Sequence, residues 1–273
     1  MTAGANYTRR SASIPERLRS EGRGHLVPLY RLLRLSDLAR EGIERSGSFR
    51  FADHIYIGRP RGRYLVGTIL DAVLLALPAA RSFRNRMRHV EREVRAVVAA
   101  KPEARVASIP SGIPRDLLAV ARTTEGGTFT SIDLDPEPLA IGRALAEEAG
   151  VASRFRWIER DVLDGDAVPG EFDAICSTGL VEFLPDDMAV RFLAACRAAL
   201  APNGILITSA TRRHRASSWL METFAELEAH YRDEEAIGAI LDAAGFSWSA
   251  ARDAVGWQVL LTARPLYPSA SGR

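Results

Sequence analysis

Four short stretches of the sequence hold side chains whose types and spacing could bind a ligand. The first, residues 106–114, reads Val-Ala-Ser-Ile-Pro-Ser-Gly-Ile-Pro. A turn of small residues lets the backbone approach a ligand closely, and the free N–H groups at the start of the next helix attract an anion. A single glycine is equally typical of an ordinary tight turn. The candidate contacts in this stretch are Ser108, Pro110, Ser111 and Gly112.

The second stretch, residues 131–136, places acidic side chains where a predicted strand ends. Asp133 lies about 20 residues beyond the first turn, a spacing at which a carboxylate accepts hydrogen bonds from the hydroxyls of a ribose. The adjacent Leu134 is a further candidate contact. Asp135 directly precedes Pro136, which is typical of a helix N-cap and not of a ligand contact.

The third and fourth stretches follow the next two predicted strands. Asp161 could accept a hydrogen bond from the exocyclic amine of an adenine, with Val162 against the ring, although a polar loop equally suits a solvated aspartate. The fourth stretch begins with Ser177 and Thr178 and continues to residue 184 as Gly-Leu-Val-Glu-Phe-Leu. We predict that Asp161, Val162, Ser177 and Thr178 also contact the ligand.

The elements that must position these stretches alternate between short apolar runs and amphipathic helices. Predicted strands cover residues 105–109, 128–134, 155–159, 172–177, 204–210, 247–253 and 258–263. Predicted helices cover residues 115–121, 136–149, 186–200, 215–228 and 234–244. This alternation predicts an α/β fold with a doubly wound, mostly parallel seven-stranded sheet and an antiparallel edge strand. Ligands of such sheets bind beyond the carboxyl ends of the strands, where all four stretches lie.

The region before the first predicted strand lacks this alternation of short apolar runs and helices. Residues 1–24 lack apolar periodicity and are expected to be disordered or frayed. Residues 25–104 are predicted to be helical, with a first helix after Pro28 and a long run over 64–99 that breaks near Pro78. We expect residues 25–104 to form a helical lid over the substrate, and residues 105–273 to form the ligand-binding domain.

The charge is distributed unevenly along the chain. Residues 1–104 contain 20 Lys and Arg against 10 Asp and Glu, although the whole chain carries a net charge of only +2. The arginines of 59–63, 81–88 and 212–215 therefore predict an anionic group on the substrate, such as a carboxylate or phosphate. The alternative is that these arginines face solvent or pair with acidic residues elsewhere in the chain.

Composition also bears on the compartment and excludes several kinds of site. Two cysteines, Cys176 and Cys196, are too few for a disulfide framework, which favours a reducing, cytoplasmic location. The Arg-rich N-terminus is not a secretory signal, and the longest apolar run, residues 72–80, is too short to cross a bilayer, so no membrane partner is expected. There is no metal-ligand spacing of Cys and His, so we predict no metal. The sequence also has no Walker loop and no Ser-His-Asp nucleophile elbow.

In combination and in this order, the four stretches resemble the class I methyltransferases that use S-adenosylmethionine (SAM). In that family the first turn holds the amino-acid part of SAM, the acid after the second strand holds the ribose, and the acid after the third holds the adenine. Residues 172–184 resemble the family's fourth-strand motif, and residues 200–207 its fifth-strand motif. Residues 237–246 resemble its penultimate helix and the strand that follows. The resemblance covers residues 105–264 and implies a bacterial enzyme with SAM as its cofactor.

The first loop departs from the family pattern. Where the family has an acid and three alternating glycines, this chain has Ser108, then Pro110 and Pro114 at the outer glycine positions, so that only Gly112 remains. The Ser-Ile-Pro-Ser-Gly form resembles an uncharacterised bacterial subset with Ser-Ile-Pro-Cys-Gly. Members of that subset also have an Arg-Pro-x-Gly loop and an Arg-rich helix upstream, which residues 59–63 and 81–88 of this chain resemble.

The resemblance implies methyl transfer to a small-molecule acceptor, and secondary metabolism is one source of such acceptors. Such transfer needs positioning, exclusion of water and removal of one proton from the acceptor. We predict His214, Glu182 and Tyr231 as catalytic residues, and His214 is favoured because it follows the fifth strand. Further candidates for the substrate side are Tyr56, Tyr64 and His230.

Three other functions are alternatives to methyl transfer to a small molecule. A SAM- or nucleoside-binding protein without methyl transfer is compatible with the degenerate first loop. A nucleic-acid methyltransferase fits the basic N-terminal region, but that region has few aromatic residues and no recognition module. A nicotinamide dehydrogenase lacks its Gly-x-Gly-x-x-Gly turn. The expected assembly is a monomer or homodimer.

Overall fold

The computed structural model describes residues 13–45, 47–163, 168–225 and 229–266. In chain order its helices and strands are α1 (13–20), α2 (Val27–Leu33), α3 (Asp37–Glu44), α4 (Phe49–Ile57), α5 (Tyr64–Ala76), α6 (Pro78–Ala100), β1 (Arg105–Ser108), α7 (Arg115–Ala121), β2 (Thr128–Asp133), α8 (Pro136–Glu148), β3 (Phe155–Glu159), β4 (Phe172–Ser177), α9 (Asp186–Ala198), β5 (Leu200–Thr211), α10 (Arg215–Phe224), α11 (Glu234–Ala243), β6 (Phe246–Arg252) and β7 (Gln258–Pro265).

The chain divides into two compact units between Arg84 and Asn85, and residues 213–229 return to the first unit. The sequence prediction instead assigned residues 85–104 to the N-terminal region. The difference arises from α6, whose Val90, Val94 and Val98 are buried in one hydrophobic cluster with residues of β1 and β2. A regular four-residue spacing of valines buries one face of the helix, which therefore belongs to the sheet unit.

The second unit is built on one sheet in the strand order β3-β2-β1-β4-β5-β7-β6. β1 to β5 pair in parallel, and β7 lies antiparallel to both β5 and β6. The predicted mostly parallel, seven-stranded sheet with an antiparallel pair at its edge is confirmed. The chain order of the last two strands is reversed in space, because β7 inserts between β5 and β6.

Both faces of this sheet are buried. Val106 of β1 packs with α6 and α7, whereas its neighbour Ala107 lies in the cluster formed with α9 and α11. Ala174 and Ile175 of β4 divide in the same way. Successive side chains of a strand point to opposite faces, so continuous apolar runs are expected where helices cover both sides.

The first unit is helical, and its order begins earlier than the sequence indicated. Residues 13–20 form a helix whose Ile14 and Leu18 are almost completely buried with Tyr30 and Phe224. The expectation of disorder over residues 1–24 is therefore wrong from residue 13 onward, and residues 1–12 lie outside the described residues. One isoleucine and one leucine among arginines show no periodicity, but the two lie four residues apart and share a helix face.

Three further differences concern the helices of this unit. The single predicted helix after Pro28 is two helices, because Ser36 starts α3 as an N-cap that accepts from the N–H of Ala39. Helix α4 was not predicted. The predicted helix over 215–228 ends at Phe224, and residues 226–228 lie outside the described residues.

The predicted break near Pro78 is confirmed. Leu77 adopts an extended conformation before this proline, as the proline ring requires. Within the described ranges no single helix is both long and apolar enough to cross a membrane, whereas α5 and α6 meet these criteria as a pair bent by 59°.

Candidate functional site

The carboxyl ends of three strands bring the predicted contacts to one edge of the sheet. Ser108 of β1 is in register with Ser131 of β2 and with Cys176 of β4. Ser177, the last residue of β4, pairs with Thr208 of β5, whose hydroxyl donates to the Ser177 carbonyl over 2.7 Å. The loops that follow β1, β2 and β4 therefore leave the sheet side by side.

The first loop is joined to the end of β2 by the carboxylate of Asp133. The N–H of Gly112 donates to Asp133 Oδ2 over 2.7 Å, and the N–H of Asp135 donates to Oδ1 over 3.0 Å. Gly112 adopts φ = 49°, a left-handed conformation that glycine tolerates best. Burial raises the pKa of Asp133, against the lowering effect of these two N–H donors. Each oxygen keeps a lone pair with which it could accept from a hydroxyl.

The neighbouring Asp135 has the role that its position before Pro136 predicts. Its side chain accepts from the N–H of Glu137 over 2.9 Å and caps α8. Leu134, between the two aspartates, is 62% exposed. Of the two aspartates at this strand end, Asp133 links the two loops and Asp135 starts a helix.

The acidic loop after β3 is more open. Asp161 is exposed, and its Oδ1 accepts from the N–H of Leu163 over 2.9 Å. Val162 is partly buried and packs against the larger hydrophobic cluster of the sheet. The adenine-binding role of these two residues stays a prediction.

A buried ion pair lies beyond the end of β4. Arg86 of α6 and Glu182 are both nearly inaccessible, and Arg86 Nη1 lies 3.3 Å from Glu182 Oε1. The hydroxyl of Thr211, at the end of β5, lies 3.5 Å from the same oxygen. The other oxygen, Glu182 Oε2, is buried without a hydrogen-bond partner among the described residues. Of the three predicted catalytic residues, Glu182 is therefore the one held in a buried polar setting beside the strand ends.

Asp116, in the first turn of α7, adds a second titratable group near Arg86. Burial raises its pKa to about 6, the N–H of Leu117 opposes that rise, and the carboxylate of Glu91 adds to it. A Cβ atom on Gly179, in the loop after β4, would lie 3.6 Å from the Arg86 guanidinium. Arg86 therefore lies next to the loop that carries Glu182.

The loop after β4 is fixed by a single arginine. Arg232 is buried, and its guanidinium donates to the carbonyls of Val181 and Leu184 over 2.6 Å each. It also forms a 2.6 Å ion pair with Asp186. The adjacent Tyr231 is half-buried and His230 is exposed, with the His230 N–H donating to the Glu182 carbonyl over 2.7 Å. These contacts hold the backbone on both sides of Glu182.

His214 follows β5 as predicted, and its side chain starts the next helix. It belongs to the first unit, is exposed, and caps α10, where its Nδ1 accepts from the N–H of Ser217 over 3.4 Å. Residues that precede a helix often cap it through a side-chain acceptor. The position of His214 after β5 is therefore explained by helix initiation. Tyr56 and Tyr64 also belong to the first unit, where Tyr56 is half-buried and Tyr64 is exposed.

Several of the arginines assigned to an anionic substrate have partners within the protein. Arg84 donates to the Leu75 carbonyl, Arg212 donates to the Gly256 carbonyl, and Arg213 pairs with Glu222. Arg86 is likewise paired with Glu182. These contacts favour the alternative interpretation of the sequence, in which the arginines face solvent or have partners within the protein. The arginines of 59–63 are exposed.

Sequence reasoning missed three groups at this edge of the sheet. Arg86 was counted only as part of an arginine run, Asp116 was not singled out, and Arg232 was not considered. Asp116 carries one weak signal, since it stands two residues after the proline that closes the first loop. Arg86 and Glu182 are separated by 96 residues, so no local pattern could pair them.

Comparison with known proteins agrees with this geometry. Residues 106–204 match the family described as a methyltransferase domain. The chain contains a class I, Rossmann-like methyltransferase domain. The resemblance predicted from the four loops is thereby confirmed for this domain, which includes β1 to β4 and the start of β5.

One relative of the methyltransferase domain is the ubiquinone biosynthesis O-methyltransferase of Xanthomonas campestris pv. campestris (strain B100). It is 32% identical over 142 residues, which are 49% of this chain and 57% of that protein. The chain therefore spans a little over half the length of the curated relative that it matches.

Two solved structures extend the comparison. One, described as a possible exported protein from Bordetella parapertussis, has a TM-score of 0.83 at 22% identity and covers 98% of both chains. The magnesium protoporphyrin IX methyltransferase of Synechocystis PCC 6803, solved with bound S-adenosylhomocysteine, has a TM-score of 0.53 at 14% identity. That match covers 68% of this chain and 87% of the other. At these identities the likeness establishes the fold alone.

Proposed function

We propose that the protein is a SAM-dependent methyltransferase that acts on a small-molecule acceptor. The observation that carries this proposal is the carboxylate of Asp133 at the end of β2, hydrogen-bonded to Gly112 of the first loop. It lies at the edge where ligands of doubly wound sheets bind. The methyltransferase domain matched over residues 106–204 supports the same conclusion.

The polar groups at this edge fit SAM. Asp133 has free acceptor capacity for the ribose hydroxyls, and Asp161 with Val162 would hold the adenine. The hydroxyl of Ser177 is fully buried at the end of β4 and has no hydrogen-bond partner in the described part of the chain. Buried polar atoms are normally hydrogen-bonded, so an unpartnered one beside the first loop indicates a place for a polar ligand group. The first loop, residues 108–112, would hold the amino-acid part.

SAM, when bound, supplies a methyl group on a positively charged sulfur. The task left to the chain is to position the acceptor, exclude water and take one proton. Glu182 is suited to the last step, because Oε1 is engaged by Arg86 while Oε2 is free to accept a proton from an acceptor hydroxyl. Arg86 and Arg232 act as positioning residues, the first on the carboxylate and the second on the backbone of its loop.

The acceptor atom and the compartment are extensions of the same proposal. The relative named above is an O-methyltransferase, which favours an oxygen acceptor. Because both cysteines are free and buried, we keep the cytoplasm as the proposed compartment. An anionic group on the acceptor and the lid role of the N-terminal helices stay predictions from the sequence.

The proposal is tested by separating binding from transfer. Calorimetry should show SAM binding by the wild-type protein, and a panel of small hydroxylated aromatics should reveal formation of S-adenosylhomocysteine. Glu182→Gln should keep SAM affinity within about threefold and lower kcat by about 100-fold or more, the usual contribution of a general base. Asp187→Asn, an exposed carboxylate on α9, is the matched control and should leave both unchanged.

Two results would contradict the proposal. Absence of SAM binding by the folded protein would remove the cofactor. Tight SAM binding without transfer to any member of a broad panel, nucleic acids included, would favour a binding protein. Unchanged kcat in Glu182→Gln would remove only the assignment of the base.

A further inference from the structure

Helix α5 presents an apolar face to solvent. Leu65 is 75% exposed, and Val66, Ile69 and Val73 are each more than half exposed. Residues 65, 69, 72, 73 and 76 recur at helical spacing and so form one stripe, completed by the exposed Ala72 and Ala76. Contiguous exposed apolar surface of this kind marks a binding surface for a protein or a membrane. We call it the α5 face.

The buried side of this helix carries its one charged residue. Asp71 is the one charged residue of α5 and is completely buried. It accepts from the Ser36 hydroxyl over 2.5 Å, from His54 Nε2 over 2.9 Å and from the Leu38 N–H over 2.8 Å. An amphipathic helix normally turns its charges to water and its apolar side to the core. In α5 both sides are apolar, since Leu75 is buried beside Asp71, and the network around Asp71 fixes which of the two sides faces outward.

Arginines flank both ends of the α5 face. Arg59, Arg61 and Arg63 are exposed in the loop just before α5, and Arg81 is exposed just after it. The loop is fixed to the helix, because the N–H of Arg61 donates to Asp71 Oδ2 over 2.9 Å. Gly67 of α5 also packs on this loop, because a Cβ there would lie 3.2 Å from the carbonyl carbon of Gly62. The arginines of this loop therefore keep a fixed place beside the apolar stripe.

Tyr64 lies between the arginine loop and the apolar stripe. Its side chain is 81% exposed, and its backbone has φ = 61°, a left-handed conformation that is uncommon for a tyrosine. Tyrosine, with an apolar ring and a polar hydroxyl, is enriched where hydrocarbon meets water at a membrane surface.

We propose that the α5 face and its arginines dock the protein on the surface of an anionic lipid bilayer. The apolar stripe would enter the boundary between headgroups and acyl chains, and the arginines would lie at the level of the lipid phosphates. This combination of an apolar face, flanking cations and an interfacial tyrosine is complementary to such a surface in both polarity and charge. None of the residues assigned above to SAM binding or to proton transfer takes part, so the docking does not depend on those assignments.

The same charges argue against a second copy of the chain on this face. In a two-fold dimer with parallel helices, each arginine loop would meet its own equivalent. With antiparallel helices the loop would meet Arg81 of the partner subunit. Juxtaposed like charges disfavour either arrangement, and α5 exposes no acidic side chain to offset them.

Docking on a bilayer surface does not require an apolar run long enough to cross the bilayer, so the short apolar runs of the sequence are compatible with it. The expectation of no membrane partner rested on the length needed to cross a bilayer. A peripheral helix needs only one apolar face, which adjacent residues in the sequence do not reveal.

Vesicle sedimentation tests the proposal with the full-length protein. Wild type should sediment with vesicles of phosphatidylcholine containing about 30% phosphatidylglycerol, and at least tenfold less with pure phosphatidylcholine. Leu65→Gln/Ile69→Gln should lower the partition coefficient at least tenfold by removing apolar side chains. Arg59→Gln/Arg63→Gln should lower it about fivefold for each arginine removed.

Matched controls come from elsewhere on the surface. Leu266→Gln replaces another half-exposed leucine, and Arg191→Gln replaces an exposed arginine of α9, so both should partition like wild type. Circular dichroism of each variant should match wild type, since every replaced side chain is exposed. Equal sedimentation of wild type and Leu65→Gln/Ile69→Gln, or no sedimentation of wild type, would overturn the proposal. So would a dimer in analytical ultracentrifugation that Leu65→Gln/Ile69→Gln dissociates, because the α5 face would then be an interface between copies.

Discussion

The N–H of Gly112 donates a 2.7 Å hydrogen bond to Oδ2 of Asp133, although 21 residues separate them in the chain. One carboxylate thus holds the first loop against the end of β2 and still has lone pairs to offer a ligand. This link fixes the backbone of the first loop at Gly112, its one glycine. Substitutions at Asp133 should therefore act on ligand binding and on loop order together.

Replacement of Asp133 by alanine should weaken SAM binding about ten- to hundredfold, since it removes charge-assisted hydrogen bonds worth about 1.5–3 kcal/mol. Isothermal titration calorimetry measures the change. Asp135→Ala is the control, because Asp135 caps α8 and should cost about 1 kcal/mol of stability without weakening SAM binding. Equal affinities of wild type and Asp133→Ala would remove Asp133 from the site.

His214→Ala should lower the free energy of unfolding by about 0.5–1 kcal/mol, the usual cost of a lost N-cap acceptor. Its kcat should stay within about twofold of wild type, because the imidazole is exposed and caps α10. Urea denaturation and a turnover assay measure the two effects separately. A large fall in kcat with unchanged stability would instead support the catalytic role first predicted for His214.

Asp116→Asn should stabilise the protein by about 1–2 kcal/mol at pH 8 and by almost nothing below pH 4. The folded pKa of about 6 lies above the ordinary value of an aspartate, so the ionised carboxylate becomes a growing cost as the pH rises toward and through 6. Urea unfolding of both proteins at a series of pH values tests this. A constant difference between them across that range would show that Asp116 is ionised as readily as in the unfolded chain.

The buried network of the first unit should also make stability fall as the pH rises, but over a higher pH range, because it holds a protonated histidine. Burial lowers the pKa of His54, but its hydrogen bonds with the carboxylates of Asp71 and Glu41 outweigh this and raise the pKa to about 9. Protonated His54 therefore stabilises the fold fully below about pH 6.5, and this contribution is lost as the pH rises through 9.

In a comparison of unfolding at pH 6.5 and pH 9.5, wild type should lose about 1–3 kcal/mol more than His54→Gln. Lys101→Gln removes a half-exposed cation of the other unit, paired with Asp173, and should leave the wild-type dependence intact. If His54→Gln loses as much stability as wild type, the network does not hold a charged histidine.

The methyltransferase domain was predictable from local patterns. Short apolar runs alternating with helices define the parallel sheet, because strands buried on both faces need continuous apolar residues. Asp133 and Asp135 were assigned different roles from their neighbours alone, and Asp135 does cap α8. Each of these inferences used residues within one element or one loop.

What the tertiary structure decided was the pairing of distant groups. Glu182 was chosen for its position, but its partner Arg86 comes from a helix that ends before β1. His214 follows a strand end as predicted, yet its side chain starts a helix of the other unit. The outward α5 face could not be recognised either, since an apolar helix with one aspartate is equally compatible with a core helix. Burial and hydrogen bonding depend on which elements meet in space. Periodicity along one helix or strand indicates that it has a buried face, but it does not identify the residues of other elements that pack against that face.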